Sequence, residues 1–209
     1  MSMNERVHIF VVAFNSPELE IPCVASVIRN TNHPYILEVY NNYPENVGLS
    51  SLWNQVMSRT PCKYVCFLNS DTEVTEGWLD KLVEVYSILE DSPRNLKISG
   101  VGPVTNKCAT KQRGRKGPGL FQIKELPELS GFCFIVSKWA FAAVGSFDEE
   151  FKFYGGESDW FRRARRLGLK AYYREDVFVK HVWGGTAKKD PRRWKKLRRE
   201  GITLFKAKE

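Results

Sequence analysis

Strand-like apolar runs alternate with helical patterns along this sequence, and the alternation constrains the fold more than any other feature. The runs at 7–14, 36–40, 64–68 and 98–104 are short and mostly apolar. The first three each end at a polar residue and are followed by apolar residues at helical spacing. Short, nearly continuous apolar runs are typical of parallel strands that are covered on both faces. The pattern therefore predicts an α/β fold with a mostly parallel central sheet flanked by helices.

The length and composition agree with one domain. The chain has 209 residues, of which 43% are hydrophobic, which is enough for one sizeable core. No linker-like stretch or internal repeat divides it, so we expect a single domain over 1–209 with a basic helical extension from about residue 188. No apolar run reaches the roughly 18 to 20 residues that cross a bilayer. The first residues lack the pattern of a secretory signal, so the sequence predicts a cytoplasmic protein.

Several common site chemistries find no support in the sequence. The chain has five cysteines, an odd number, and most lie in apolar stretches, which favours reduced buried thiols over a disulfide framework or a zinc site. It has no GxxxxGK[ST] phosphate loop. Gly100 and Gly102 lack the third glycine of a dinucleotide fingerprint, because Thr105 occupies that position. Kinase and dehydrogenase functions are therefore unsupported.

Positive charge is concentrated in three short segments. The chain carries 32 basic and 24 acidic residues, a net charge of +8, and 18 of the basic residues lie in 107–116, 162–170 and 188–199. Clusters of this kind usually bind phosphate groups in a nucleotide, a nucleic acid or an anionic membrane. Solvated faces that keep a protein soluble have the same composition. The charge pattern therefore favours a polyanionic partner without identifying it.

Two of these basic segments have a predicted local structure. The glycines, the proline and the lack of acids across 105–119 predict a mobile loop. Asp190 followed by Pro191 predicts the start of a helix that ends at Gly201. In this helix Trp194 would pack on the domain, while the basic side chains could lie on anionic lipid, hold a charged saccharide or grip DNA phosphates.

Asp71 is the first candidate for chemistry. It directly follows an apolar strand and so lies at the carboxyl edge of the predicted sheet, where ligands of α/β proteins bind. A carboxylate that shares a cation with phosphate oxygens is a common way to hold Mg²⁺ or Mn²⁺. The competing interpretation is that Asn69, Ser70 and Asp71 only form a turn and cap a helix.

Two further acids and a histidine are also candidates. Glu157 and Asp159 lie at a helix start just after two glycines, where a carboxylate could act as general base or could simply complement the helix dipole. His181 ends a predicted strand, and it could serve there as a metal ligand, a phosphate contact or a structural residue.

An ordered set of short segments runs through the chain. The segments are FVVAFNSPE, EVYNN, NVGLSSLWNQ, FLNSDTEVTEGWLDKL, GVGP, SGFCFIVSKWAFAAVGSFDEEF and GGESDWFRRARRLG, followed by HVWGG. Each is weak alone, but their order and spacing resemble those of family 2 glycosyltransferases of the GT-A fold, the nucleotide-diphospho-sugar transferases, especially the rhamnosyltransferase-like members. The resemblance covers roughly residues 7 to 186. It implies a GT-A fold with a Rossmann-like central sheet.

The resemblance also implies which residues bind the donor and the metal. Phe14, Asn15 and Asn41 would contact the nucleotide base, with Asn41 at the position of the family's usual aspartate, which leaves the identity of the base open. The further donor-binding residues would be Asn46, Gly48, Asn54, Asn69 and Asp71. Asn69 and Asp71 fall on the family's DxD-like motif. Asp71, with His181, would hold Mn²⁺ or Mg²⁺ as the cofactor.

On the acceptor side, the resemblance implies an inverting hexosyl transfer from a nucleotide-diphosphate donor. Glu157 falls at the general-base position, where the family has aspartate, and Asp159 is the alternative base. Gly156 and Trp160 would contact the acceptor, and the basic segment 107–116 would close over the site. The acceptor hydroxyl could belong to a saccharide, a lipid-linked glycan or a modified DNA base. The competing hypothesis is a non-catalytic polyanion or nucleic-acid binding protein on a glycosyltransferase scaffold.

Overall fold

A computed structural model describes residues 6–93, 96–115, 120–182, 184–185 and 190–208. The strands in these residues are β1 (Val7–Ala13), β2 (Tyr35–Asn41), β3 (Tyr64–Asn69), β4 (Thr72–Val74), β5 (Ile98–Val104), β6 (Ile123–Leu126), β7 (Cys133–Ser137) and β8 (Lys170–His181). The helices are α1 (Pro17–Asn30), α2 (Leu49–Arg59), α3 (Trp78–Glu90), α4 (Lys138–Val144), α5 (Gly156–Arg166) and α6 (Pro191–Ala207).

The strands form one mixed sheet in the order β2-β1-β3-β7-β5-β8-β4, with β6 paired to β8. Strands β1, β2, β3, β5 and β8 run in one direction, and β4, β6 and β7 run in the other. The mostly parallel sheet expected from the sequence is confirmed. Because β1, β3 and β8 are parallel, their carboxyl ends lie at the same edge, and the polar residues that follow them lie close together.

Helices cover both faces of this sheet, which explains why the strands read as continuous apolar runs. Along β3, Cys66 and Leu68 point to the side of α1 and α3, whereas Val65 and Phe67 point to the side of α2, α4 and α5. Trp78 fills the first core and Trp160 the second, and both are fully buried. The five cysteines are buried free thiols, as the sequence predicted.

The segment after β5, for which the sequence predicts a mobile loop, is described over 105–115 and makes buried polar contacts there. Gln112 is buried there, where its side chain donates to the Pro103 carbonyl at 2.8 Å and accepts from the Ser130 backbone N–H at 2.7 Å. Thr105 N–H donates to the Gln112 carbonyl at 2.8 Å. The segment packs as a turn because its buried polar side chain, Gln112, is neutral and hydrogen-bonded, while the described basic side chains stay exposed. Residues 116–119 lie outside the described part.

Helix α6 begins as predicted and ends later than predicted. The Asp190 side chain accepts from the Arg193 backbone N–H at 3.0 Å, and Pro191 occupies the first turn. The helix continues through Gly201 to Ala207. The backbone of Tyr154 occupies the space that a side chain at Gly201 would take, so this glycine allows close packing within a helix. Among the described residues, no helix combines the length and apolar character that a membrane span requires.

Candidate active site

A cavity of about 250 Å³ opens at the edge of the sheet where β1, β3 and β8 end. Phe14 follows β1, Asp71 follows β3, and His181 is the last residue of β8, and all three line the cavity. Glu157, from the helix layer of α2, α4 and α5, also lines the cavity, and residues of α6 complete the wall. The location agrees with the rule that ligands of such sheets bind at the carboxyl ends of the strands.

Asp71 and His181 form a buried pair in this cavity. Their Oδ1 and Nε2 atoms are 3.2 Å apart, because the pairing of β4 with β8 places Thr72 opposite His181. The His181 ring stacks on Phe132 with 5.3 Å between the ring centroids, and its Nδ1 lies 3.0 Å from the Lys107 carbonyl oxygen. The other carboxylate oxygen of Asp71 accepts from the Gly185 backbone N–H at 3.3 Å.

This geometry fits a divalent cation. A carbonyl oxygen can only accept, so Nδ1 of His181 carries the hydrogen towards Lys107, and in the neutral ring Nε2 presents its lone pair to Asp71. A metal-binding histidine usually donates its other ring N–H to such a carbonyl. Among the described residues, no set of three or more His, Cys, Asp or Glu side chains forms a metal cluster. Asp71 and His181 would therefore supply two ligands, and substrate oxygens and water would supply the others.

Glu157 is the acid of α5 that lines the cavity. Its carboxylate accepts hydrogen bonds from its own backbone N–H and from that of Gly131. Gly131 allows this close approach, since a Cβ there would lie 3.0 Å from Oε1 of Glu157. Burial of the carboxyl group, reinforced by the negative charge of Glu128, raises the pKa of Glu157 to about 7. A carboxylate with this pKa is suited to accept a proton near neutral pH.

Asp159, the alternative base, does not line the cavity. It is buried one half-turn further along α5, and its two oxygens accept from Arg162 at 2.7 Å and from Arg163 at 2.8 Å. Arg163 also donates to the carbonyl oxygens of Val144 and Ser146, at 3.0 and 2.8 Å. These contacts give Asp159 a structural task, which is to fasten α5 to the end of α4.

At the end of the cavity beside β1, the structure brings Phe14 together with Asn42 and not with Asn41. The Asn42 side chain is buried, donates to Asn46 at 3.2 Å and accepts from the Val47 backbone N–H at 3.0 Å. Asn41 is exposed and does not line the cavity, and its side chain accepts from the Tyr43 backbone N–H at 3.2 Å. Sequence reasoning missed Asn42, although the chain offers two adjacent asparagines at the end of β2.

Several other predicted site residues support the cavity from outside. Asn54 binds the backbone of Phe147 twice, donating to its carbonyl at 2.9 Å and accepting from its N–H at 2.8 Å. Trp160 is fully buried and donates to the Gly145 carbonyl at 2.8 Å, so it does not reach the cavity. Gly156 also lies outside the lining, where a Cβ would come within 2.5 Å of a serine hydroxyl of α2.

Three predicted site residues lie in the turns that follow β1 and β2. Asn15 and Asn46 have positive φ angles of 44° and 51°. Gly48 has a φ of 94°, and a Cβ there would lie 3.2 Å from the Cα of Lys152. These residues shape the turns after β1 and β2, and the structure does not place them in the cavity wall. Asn69, in contrast, lines the cavity beside Asp71.

Tyr154, Trp194 and Arg198 line the cavity and were not assigned to it from the sequence. The rings of Tyr154 and Trp194 pack edge to face with 5.3 Å between their centroids. Burial and the nearby Glu157 raise the pKa of Tyr154, which keeps its hydroxyl protonated as a hydrogen-bond donor. The contact of Trp194 with Tyr154 joins two segments that are 40 residues apart in the sequence, which no local pattern reveals.

The architecture is similar to that of solved glycosyltransferases. A crystal structure of GalNAc-T7 with UDP, GalNAc and Mn²⁺ matches with a TM-score of 0.67 and 13% identity, over 85% of this chain and 43% of that one. The chain has the GT-A fold. The crystal structure of S. aureus TarS shares this GT-A architecture with a TM-score of 0.56 and 11% identity, over 88% of this chain and 38% of that one. The chain spans less than half the length of either protein.

A family model adds a comparison at the level of sequence. Residues 39–138 match the model described as Glycosyl transferase family 2. The matched part of this GT-A chain begins within β2 and ends at the start of α4, so it contains Asp71 but neither Glu157 nor His181. Among curated proteins, none matches the sequence.

Proposed function

We propose that the protein is a metal-dependent inverting glycosyltransferase that moves a hexosyl group from a nucleoside-diphosphate donor to an acceptor hydroxyl. The observation that carries the proposal is the shared cavity, into which Glu157 faces from one side and the Asp71–His181 pair from the other. A general base for the acceptor hydroxyl and a metal-binding pair for the leaving diphosphate are the two parts that the proposed mechanism uses.

The donor would lie along the carboxyl edge of the sheet. Phe14 offers an aromatic surface for the nucleotide base, and Asn42 offers a carboxamide beside it. Asp71 and His181 lie further along the same cavity, where the diphosphate would follow. The GalNAc-T7 structure, which has a similar fold, contains UDP and Mn²⁺, and this supports a nucleoside diphosphate with a divalent metal here. The sequence motifs favour a donor of the rhamnosyltransferase-like class.

In the transfer step, Glu157 would accept the proton of the acceptor hydroxyl while the oxygen attacks the anomeric carbon. The diphosphate would leave from the opposite face of the sugar, so the anomeric configuration inverts. Mn²⁺ or Mg²⁺ held by Asp71 and His181 would neutralise the charge that develops on the leaving diphosphate. Gly131 would hold the Glu157 carboxylate in place through its backbone N–H. The protonated Tyr154 hydroxyl would donate to a substrate oxygen in the same cavity.

The acceptor is a saccharide, a lipid-linked glycan or a modified DNA base, each of which offers a hydroxyl. The exposed cations of α6 favour the anionic members of this group, which include DNA and acidic glycans.

Ligand-dependent melting of the purified protein tests the donor class. We expect one nucleoside diphosphate and its sugar conjugate to raise Tm with Mn²⁺ present and not after chelation, since a ligand at 100 times its Kd stabilises by about 2.7 kcal/mol. Glu157→Gln should keep this shift, and Asp71→Asn should lose it. Glu76→Gln, an exposed acid outside the cavity, is the control. No shift with any nucleotide, together with salt-dependent DNA binding, would favour the non-catalytic polyanion binder instead.

A further inference from the structure

Helix α6 supplies part of the cavity wall through one face. Trp194 and Arg198 are one helical turn apart, so their side chains project from the same side, and both line the cavity. Gly201, seven residues after Trp194, lies on that side as well. We call these three residues the cavity face of α6. The wall of the cavity therefore depends on where α6 docks.

The docking of α6 is specified by close packing at Gly201. A Cβ on this residue would lie 2.4 Å from the carbonyl oxygen of Tyr154 and 2.8 Å from its Cβ. The Trp194 ring packs on the Tyr154 ring, and further along α6 the guanidinium of Arg162 lies 4.5 Å from the centroid of the Phe205 ring. These contacts hold α6 against Tyr154, which precedes Glu157 in the chain, and against Arg162 of α5.

Arg198 is the one arginine or lysine among the described residues that line the cavity. Its side chain is exposed and makes no hydrogen bond or ion pair with the part of the chain that the structure describes. The carboxylates of Asp71 and Glu157 line the same cavity. The exposed guanidinium of Arg198 is available to an anion that enters the cavity.

We propose that Arg198 binds the diphosphate group of the donor and of the nucleoside-diphosphate product, and that Trp194 forms the aromatic wall beside it. This inference rests on the proposed function. A guanidinium can bind two phosphate oxygens at once, and it interacts more strongly as the leaving diphosphate gains negative charge. The C-terminal basic helix is thus a component of the donor site, with Gly201 as the contact that positions it.

Calorimetric titration of the whole protein, in Mn²⁺, with ADP, GDP, CDP, UDP, dTDP and inorganic pyrophosphate tests this proposal. We expect Arg198→Gln to weaken the best-bound nucleoside diphosphate by about 10- to 100-fold, and Arg198→Lys to weaken it less. Arg199→Gln is the matched control, because it removes an adjacent exposed cation that does not line the cavity. Its affinity should stay within about twofold of the wild type, since exposed charges at this distance are screened by salt.

A second variant tests the role of docking. Gly201→Ala should displace α6 from Tyr154 and weaken the same nucleotide, while the exposed Ile202→Ala should leave its affinity unchanged. Equal affinities for wild type and Arg198→Gln, or equal losses in Arg198→Gln and Arg199→Gln, would overturn the assignment of Arg198 while leaving the proposed function intact. If the wild type binds none of these ligands, the proposed function fails, and the inference fails with it.

Discussion

The raised pKa of Glu157 makes a quantitative prediction for the pH dependence of catalysis. The base acts only when it is deprotonated, and its pKa is about 7 because its carboxyl group is buried. About 9% of the molecules therefore hold an active base at pH 6 and about 91% at pH 8, for a pKa of about 7. The rate of donor cleavage should rise about tenfold between these two pH values. Glu157→Gln should lower kcat by about 100- to 10,000-fold at pH 8.

The same shift predicts a change in stability of known sign. The folded state holds the proton of Glu157 more tightly than the unfolded state, in which the pKa is 4.5, so this residue destabilises the fold increasingly between about pH 4.5 and 7. Glu157→Gln removes the ionisation. It should be about 1 to 3 kcal/mol more stable than the wild type at pH 8 and no more stable at pH 4.

Both effects can be measured with the nucleotide sugar that binds best. The first assay is release of nucleoside diphosphate, with water as acceptor, from pH 5.5 to 8.5 in Mn²⁺. The second is a pair of melting curves at pH 4 and pH 8 for the wild type and for Glu157→Gln. A wild-type rate that does not change between pH 6 and 8 would refute the assignment of Glu157 as base. So would a glutamine variant that keeps more than a tenth of the activity.

Three other substitutions test other parts of the account. Asp71→Asn should abolish the Mn²⁺ dependence of nucleotide binding, measured by titration with and without chelator, and an unchanged metal dependence would contradict its role. Asp159→Asn should destabilise the fold by about 1 to 3 kcal/mol, because it removes the charge that the partly buried Arg162 and Arg163 contact and one of the two oxygens that accept from them. Denaturant melts would measure this loss, and a stable but inactive variant would instead return Asp159 to the role of base. Gln112→Leu should cost about 1 to 3 kcal/mol in the same melts, since Pro103 and Ser130 lose their buried partner, and a neutral effect would contradict the packed turn.

The sheet was predictable because its strands are covered on both faces and so read as apolar runs. Short strands without that pattern were not predicted. Both β4 (Thr72–Val74) and β6 (Ile123–Leu126) carry polar residues, and each pairs with the long strand β8. The sequence also predicted the end of α6 wrongly, because a long-range contact at Gly201 is not visible in the local pattern. A glycine usually ends a helix, but here its missing side chain accommodates another segment.

Much of the candidate site followed from its position at the ends of strands. Asp71 and His181 were both expected at the carboxyl edge, and the structure brings them within 3.2 Å of each other. The choice between Glu157 and Asp159 was open in the sequence, because both lie in the first turn of α5. Only the three-dimensional structure separates them, by placing one in the cavity and the other between two arginines. Arg198 could not be found at all, since its place in the cavity depends on long-range docking of α6.

The most direct test of the central claim is turnover of nucleotide sugars by the wild-type protein, with the anomeric configuration of the released sugar followed by NMR. We expect that at least one donor is cleaved in Mn²⁺ and not after chelation, that the first-formed sugar has the inverted configuration, and that Glu157→Gln binds this donor without cleaving it. Retained configuration, or cleavage that persists in the glutamine variant, would contradict the account.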